Sequence, residues 1–121
     1  MTPATVTVLV DGDSCPVPVR SLLIRASLRR GIDVRFFANR HIQLEEGYRA
    51  TVVSGETVDD ALTRLVEELR AQDVVPIVIT RDIPLAEGIV LRGGVALNDR
   101  GTVFDAESIA ERRSLRDAAA D

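Results

Sequence analysis

The chain has no lysine and no tryptophan, and it contains one cysteine, three phenylalanines and one tyrosine. Each shortage excludes something. The lone thiol of Cys15 rules out an internal disulfide framework and suits a reducing compartment. With so few aromatics the core must be built from Val, Ile, Leu and Ala, the composition of strands covered on both faces by helices, and little remains to stack on nucleic-acid bases. No run approaches the ~18 apolar residues that a membrane span requires. Met1 to Thr5 lack the positive region and apolar stretch of a secretory signal. No membrane association and a cytoplasmic location are therefore expected. All fifteen basic residues are arginine, spread along the chain. They read either as phosphate-seeking guanidinium forks or as a general bias of arginine over lysine.

At 121 residues, 45% hydrophobic and 28% charged, the chain has the length and composition of one globular domain. Its net charge of −4 gives no general attraction to nucleic acid, so any such binding must be local.

Val6 to Val10 reads as a buried strand running into Asp11-Gly12-Asp13. Pro16 and Pro18 mark the first turn of a helix through Val19, Leu22, Leu23, Ala26 and Ser27, with Asp13 or Ser14 as its expected cap, and Gly31 ends it. Asp33 to Ala38 is a second strand, and Ala50 to Val53 a short third. Val58, Ala61, Leu62, Leu65, Val66 and Leu69 form one continuous helical face behind the capping residue Thr57. Val74 to Ile79 is the fourth strand, with Pro76 expected near its start. A helix from Pro84, a last strand at Val95 to Leu97, a turn at Asn98 to Gly101 and a closing helix from about Asp105 to Arg116 complete the pattern. Strands alternating with helices predict an α/β three-layer sandwich on a mainly parallel sheet of about five strands.

In such a sheet ligands bind outside the carboxyl ends of the strands, and polar residues follow every one of those ends. Asp11 and Asp13 come after the first strand, Asn39, Arg40 and His41 after the second, Thr80, Arg81 and Asp82 after the fourth, and Asn98, Asp99 and Arg100 after the fifth. Acids gathered at one rim repel each other, and a cation relieves the repulsion. Carboxylate oxygens with open water positions suit Mg²⁺ or Mn²⁺, which activate water and steady a phosphoryl group. Plainer roles compete. Asp13 could cap a helix, Asp60 could complete a capping box with Thr57, His41 has no second ligand nearby, and Cys15 reads as buried and inert.

These same segments resemble a known family. Val10 to Pro16 is similar to VDADACP, Ala38 to Ile42 matches ANRHI, Ile79 to Ala86 resembles ITADIPLA, Ala96 to Gly101 resembles ALNPRG, and Ile109 to Asp117 follows an IRERLxMRD ending. In order and over nearly the whole chain, these are hallmarks of the YaiI/YqxD family of bacterial proteins, grouped with PIN-like domains whose better-known members are metal-dependent ribonucleases. The resemblance implies one PIN-like domain over residues 1–121, RNA as substrate, and Mg²⁺ or Mn²⁺ as cofactor. It implies Asp11, Asp13 and Asp82 as catalytic acids, with Asp60 joining them as metal ligands, and Asn39, Arg40, Asn98 and Arg100 as substrate contacts. The chain also departs from the pattern. Where the family carries GxDxAD, Gly55 to Asp60 has Thr57 in place of an acid, and a Gly-Asp pair before the fourth strand is missing. Two rival readings stand beside the nuclease. One is a non-catalytic RNA- or protein-binding module. The other is a phosphatase of the haloacid dehalogenase type, which shares the strand followed by Asp-x-Asp but wants a basic residue at a helix start before its last acidic motif.

Overall fold

The computed structural model describes residues 5–45, 47–105, 107–111 and 114. Among the described residues, six strands and the three longer helices follow one another as β1 (Thr5–Asp11), α1 (Val17–Arg30), β2 (Asp33–Ala38), β3 (Thr51–Val52), α2 (Val58–Ala71), β4 (Val74–Ile79), α3 (Ile83–Leu91), β5 (Val95–Leu97) and β6 (Val103–Phe104). They make one sheet in the order β3-β2-β1-β4-β5-β6. Every ladder is parallel except the last, β5 with β6. The strand beyond the five expected is β6, which turns back after Gly101 before the closing helix. Residues 107–111 are helical, and Asp105 caps them by accepting the Ser108 N–H at 2.7 Å. Ile109 from this segment is buried in the core. The rest of the predicted helix, apart from Ser114, lies outside the described residues.

Strand periodicity divides the core into two layers. Leu9, Phe37 and Val78 point to one face, where they meet Leu62, Val66 and Leu69 of α2 and Leu85, Ala86 and Ile89 of α3. Their neighbours Val8, Val10, Phe36 and Ile79 point to the other face and meet Ile24 of α1. This is the alternation that a sheet covered on both sides requires. Pro76 is the third residue of β4, one position ahead of the β4–β5 ladder, which begins at Ile77. There its missing donor is tolerated.

Three local expectations need correction. The residue at the start of α1 is Pro16, with no side-chain cap, because a short 3-10 turn, Gly12–Ser14, separates Asp13 from the helix. Arg20 takes over the task of tying this segment down, donating from Nε to the Cys15 carbonyl and from Nη2 to the Gly12 carbonyl, both at 2.9 Å. On α1 the deeply buried residue is Ile24, whereas Leu22 is 57% exposed, since the helix is apolar on two sides. On α2 Leu65 only flanks the core while Val66 is fully buried. Gly31 closes α1 as expected, at φ 65°. No described helix is long and apolar enough to cross a membrane.

Candidate functional site

The chain runs outward from β1 through β2 to β3 on one side and from β4 through β5 to β6 on the other. The carboxyl ends of β1 and β4 therefore flank the switch point at which a crevice opens. Asp11 ends β1 there. It is 8% exposed, and Thr80, just past β4, donates its hydroxyl to Asp11 Oδ2 at 3.0 Å. The same Thr80 oxygen accepts the Asp82 N–H at 3.1 Å, so one hydroxyl ties both acids to the edge. Asp82 also caps α3, its Oδ1 accepting the Leu85 N–H at 3.0 Å. Burial raises the Asp11 carboxyl above its ordinary range. The Thr80 and Ser14 hydroxyls oppose the rise, and the charges of Asp13 and Asp82 add to it.

Asp13 follows on the 3-10 turn. Its Oδ2 accepts the Asn39 N–H at 3.0 Å, and Arg40 approaches its Oδ1 loosely, at 3.9 Å. The ends of β1 and β2 are thus tied together by a carboxylate. Gly12 lets them sit close, because a Cβ there would stand 2.8 Å from the Phe37 carbonyl oxygen and from Ile42 Cδ1. Arg40 and His41 are exposed.

The third strand's successor, α2, carries two adjacent acids with different surroundings. Asp60 is exposed, and its N–H donates to the capping Thr57 Oγ1 at 3.0 Å. The acid that faces the rim is its neighbour Asp59. Burial raises the Asp59 carboxyl first, then the charges of Asp82 and Asp11 and a hydrogen bond to Asp82 that favours the protonated form. The signal was present in the helical spacing. Asp59 lies three positions before Leu62 and seven before Val66, on the sheet-facing side, while Asp60 is turned about 100° further round.

On the far flank, Asn98 shapes the β5–β6 turn by accepting the Arg100 and Thr102 N–H groups on Oδ1, each at 2.9 Å. Arg81 grips Asp99 with two bonds, from Nε to Oδ1 at 2.9 Å and from Nη2 to Oδ2 at 2.7 Å. That pairing lowers Asp99 to about 2. Cys15, buried behind the rim, has its thiol raised to about 11, first by burial, so it stays protonated at neutral pH.

The structure thus brings Asp11, Asp13 and Asp82 to one edge, adds Asp59 and Thr80, and places Asn39 and Arg40 on one flank with Asn98 and Arg100 on the other. Among the described residues no three His, Cys, Asp or Glu side chains are gathered closely enough to hold a metal ion as a group. The donors are hard oxygens with uncompensated charge and no cage. They fit an ion such as Mg²⁺ that keeps most of its water and meets the protein through one or two carboxylates.

Comparison with known proteins gives a consistent picture. The family described as "Uncharacterized BCR, YaiI/YqxD family" matches residues 9–121. A UPF0178 protein of Treponema pallidum is 44% identical over 111 residues, 91% of this chain and 61% of that protein. One from Vibrio cholerae El Tor is 42% identical over 89% of this chain and 71% of its own length. One from Xanthomonas campestris is 39% identical over 94% and 70%. The chain therefore spans less than two thirds of the Treponema relative and somewhat more of the other two.

Proposed function

The chain belongs to the YaiI/YqxD family, and from that premise together with its acidic rim we propose that it is a divalent-metal-dependent nuclease hydrolysing phosphodiester bonds in RNA. The observation that carries this reading is charge left unbalanced at the switch point. Asp59 is pushed towards its neutral form first by burial and then by the charges of Asp82 and Asp11, and Asp11 first by burial, with the charges of Asp13 and Asp82 adding to it. A fold gains nothing from such repulsion unless a cation relieves it.

One or two of the Asp11, Asp59 and Asp82 carboxylates would meet the ion directly and the rest through its water, with Asp13 beside them. A bound Mg²⁺ or Mn²⁺ supplies an activated water and neutralises charge on the phosphoryl oxygens. The chain's own residues do the rest. The Thr80 hydroxyl fixes the Asp11 carboxylate, Asp13 keeps the ends of β1 and β2 in register, and Arg40 and Arg100 on either flank offer positive charge to the backbone phosphates.

One observation favours a non-catalytic RNA- or protein-binding module instead. Thr57 stands where the family pattern has an acid, and here its side chain is spent capping α2.

Thermal melts and cleavage assays on the native protein and Asp11→Asn separate the two readings. For the nuclease, Mn²⁺ raises the melting temperature of the native protein by mass action. Asp11→Asn is as stable as the native protein or more so without metal, and loses both the shift and RNA cleavage. No shift at millimolar Mn²⁺ together with no cleavage of mixed RNA gives the case to the binding module.

A further inference from the structure

A cleft of about 410 Å³ opens between the start of α3 and the β5–β6 turn, lined among others by Arg81, Ile83, Asn98, Arg100 and Phe104. In strand order it lies one step beyond the Asp82 end of β4, and neighbouring strands are about 4.8 Å apart. Arg81 of its lining is the residue next to Asp82.

The cleft's charge is opposite to that of the acids. Two guanidinium groups, Arg81 and Arg100, face one carboxylate, Asp99, in a chain whose net charge is −4. Asp99 is largely covered, with 14% of its side chain exposed, whereas Arg81 is 56% exposed. The two-pronged bond to Asp99 uses Nε and Nη2 of Arg81 and leaves Nη1 for a ligand. A guanidinium already fixed in place loses little freedom when it binds. Arg100 is exposed, and its guanidinium makes no hydrogen bond or ion pair among the described residues. It stands on a turn held rigid by the two N–H bonds to Asn98 Oδ1.

No ring is offered for base stacking, since Phe104 is 3% exposed. Such a lining selects phosphate and carries no base readout.

We propose that this cleft is a subsite for the backbone phosphate next to the one lying at the acids, held by Arg81 and Arg100 without regard to base. The proposal takes its substrate from the nuclease reading, yet it can be tested without cleavage. The probe is a short oligouridylate, titrated by fluorescence anisotropy in metal-free buffer over a range of salt, with inorganic phosphate titrated in parallel.

Arg100→Gln should weaken oligonucleotide binding about tenfold, the scale of one charge-assisted contact. It should also lower the slope of log affinity against log salt by about one. Arg81→Gln should weaken binding as well. Arg92→Gln removes the same charge from the far end of α3, where it pairs with Glu67, and should leave binding unchanged.

Oligonucleotide affinity untouched in both Arg100→Gln and Arg81→Gln overturns the subsite, whether or not RNA is cleaved. So does inorganic phosphate binding that is lost in Arg100→Gln while oligonucleotide binding is kept, which would mark a pocket for free phosphate. Arginine-dependent binding without metal-dependent cleavage supports the cleft and overturns the nuclease reading alone.

Discussion

Thr80 and Asp11, 69 residues apart in sequence, share a buried hydrogen bond of 3.0 Å at the edge where β1 and β4 end. The bond does two jobs. It supplies a donor to a carboxylate that burial would otherwise leave short of partners, and its oxygen accepts the Asp82 N–H at 3.1 Å. Thr80→Val keeps the shape and removes both interactions. It should cost about 1–3 kcal/mol in urea melts, the penalty for stranding buried polar groups. Thr80→Ser, which keeps the hydroxyl, should recover most of that loss. A Val variant within ~0.5 kcal/mol of the native protein would show that the pair does not hold the edge together.

The packing of α2 gives a second test. Leu62 is fully buried while Leu65 lies at the margin of the same cluster. Leu62→Ala should lose about 2–5 kcal/mol. Leu65→Ala should lose no more than about 2 kcal/mol, because less apolar surface returns to water. Equal losses in denaturant melts would mean that the two residues share one environment.

Much of this architecture was legible in the sequence, because the periodicities are strong. The bounds of β2 and β4, the Thr57 cap and the α2 face follow from alternation, capping chemistry and helical spacing, and the convergence of acids follows from parallel topology. What escaped had weaker signals. Apolar residues on two sides of α1 hid that Ile24, not Leu22, faces the sheet. The two-residue β6 is too short to show alternation. A motif fixes a position only by counting, whereas the helix decides by angle that Asp59 faces Asp82 and Asp11. The sequence places Thr80 at the rim after the fourth strand but gives it no partner, because only the β1–β4 register sets it against Asp11.

The pairing of Arg81 with Asp99 predicts a pH dependence. Asp99 is held at about 2 against an ordinary 3.8. A carboxyl lowered on folding contributes stability above its unfolded value and loses it as pH falls through the folded one. Native protein should therefore lose stability relative to Asp99→Asn between about pH 4 and about pH 2, while exceeding it at neutral pH. Asp105 is also lowered, but it is present in both proteins and cancels in the difference. Parallel urea midpoints across that range would show that the ion pair adds no stability.

Asp59 and Asp60 are adjacent, and Asp59 is the one that meets the charges of Asp82 and Asp11. Burial and the charges of Asp82 and Asp11 oppose ionisation of Asp59, whereas Asp60 is exposed beside the α2 cap. Removing a charge from a mutually repelling set relieves the metal-free fold. Asp59→Asn should therefore be as stable as the native protein without metal, or more so. If a cation binds where the repulsion is greatest, the same variant should lose most of the Mn²⁺-induced rise in melting temperature. Asp60→Asn changes the net charge by the same amount and should keep that rise, so general charge effects are controlled. Thermal melts of the two variants with and without Mn²⁺ decide the matter. Loss of the shift in Asp60→Asn with its retention in Asp59→Asn would return the role to the residue that the family pattern names. It would mean that α2 turns its other face to the edge once the ion is bound.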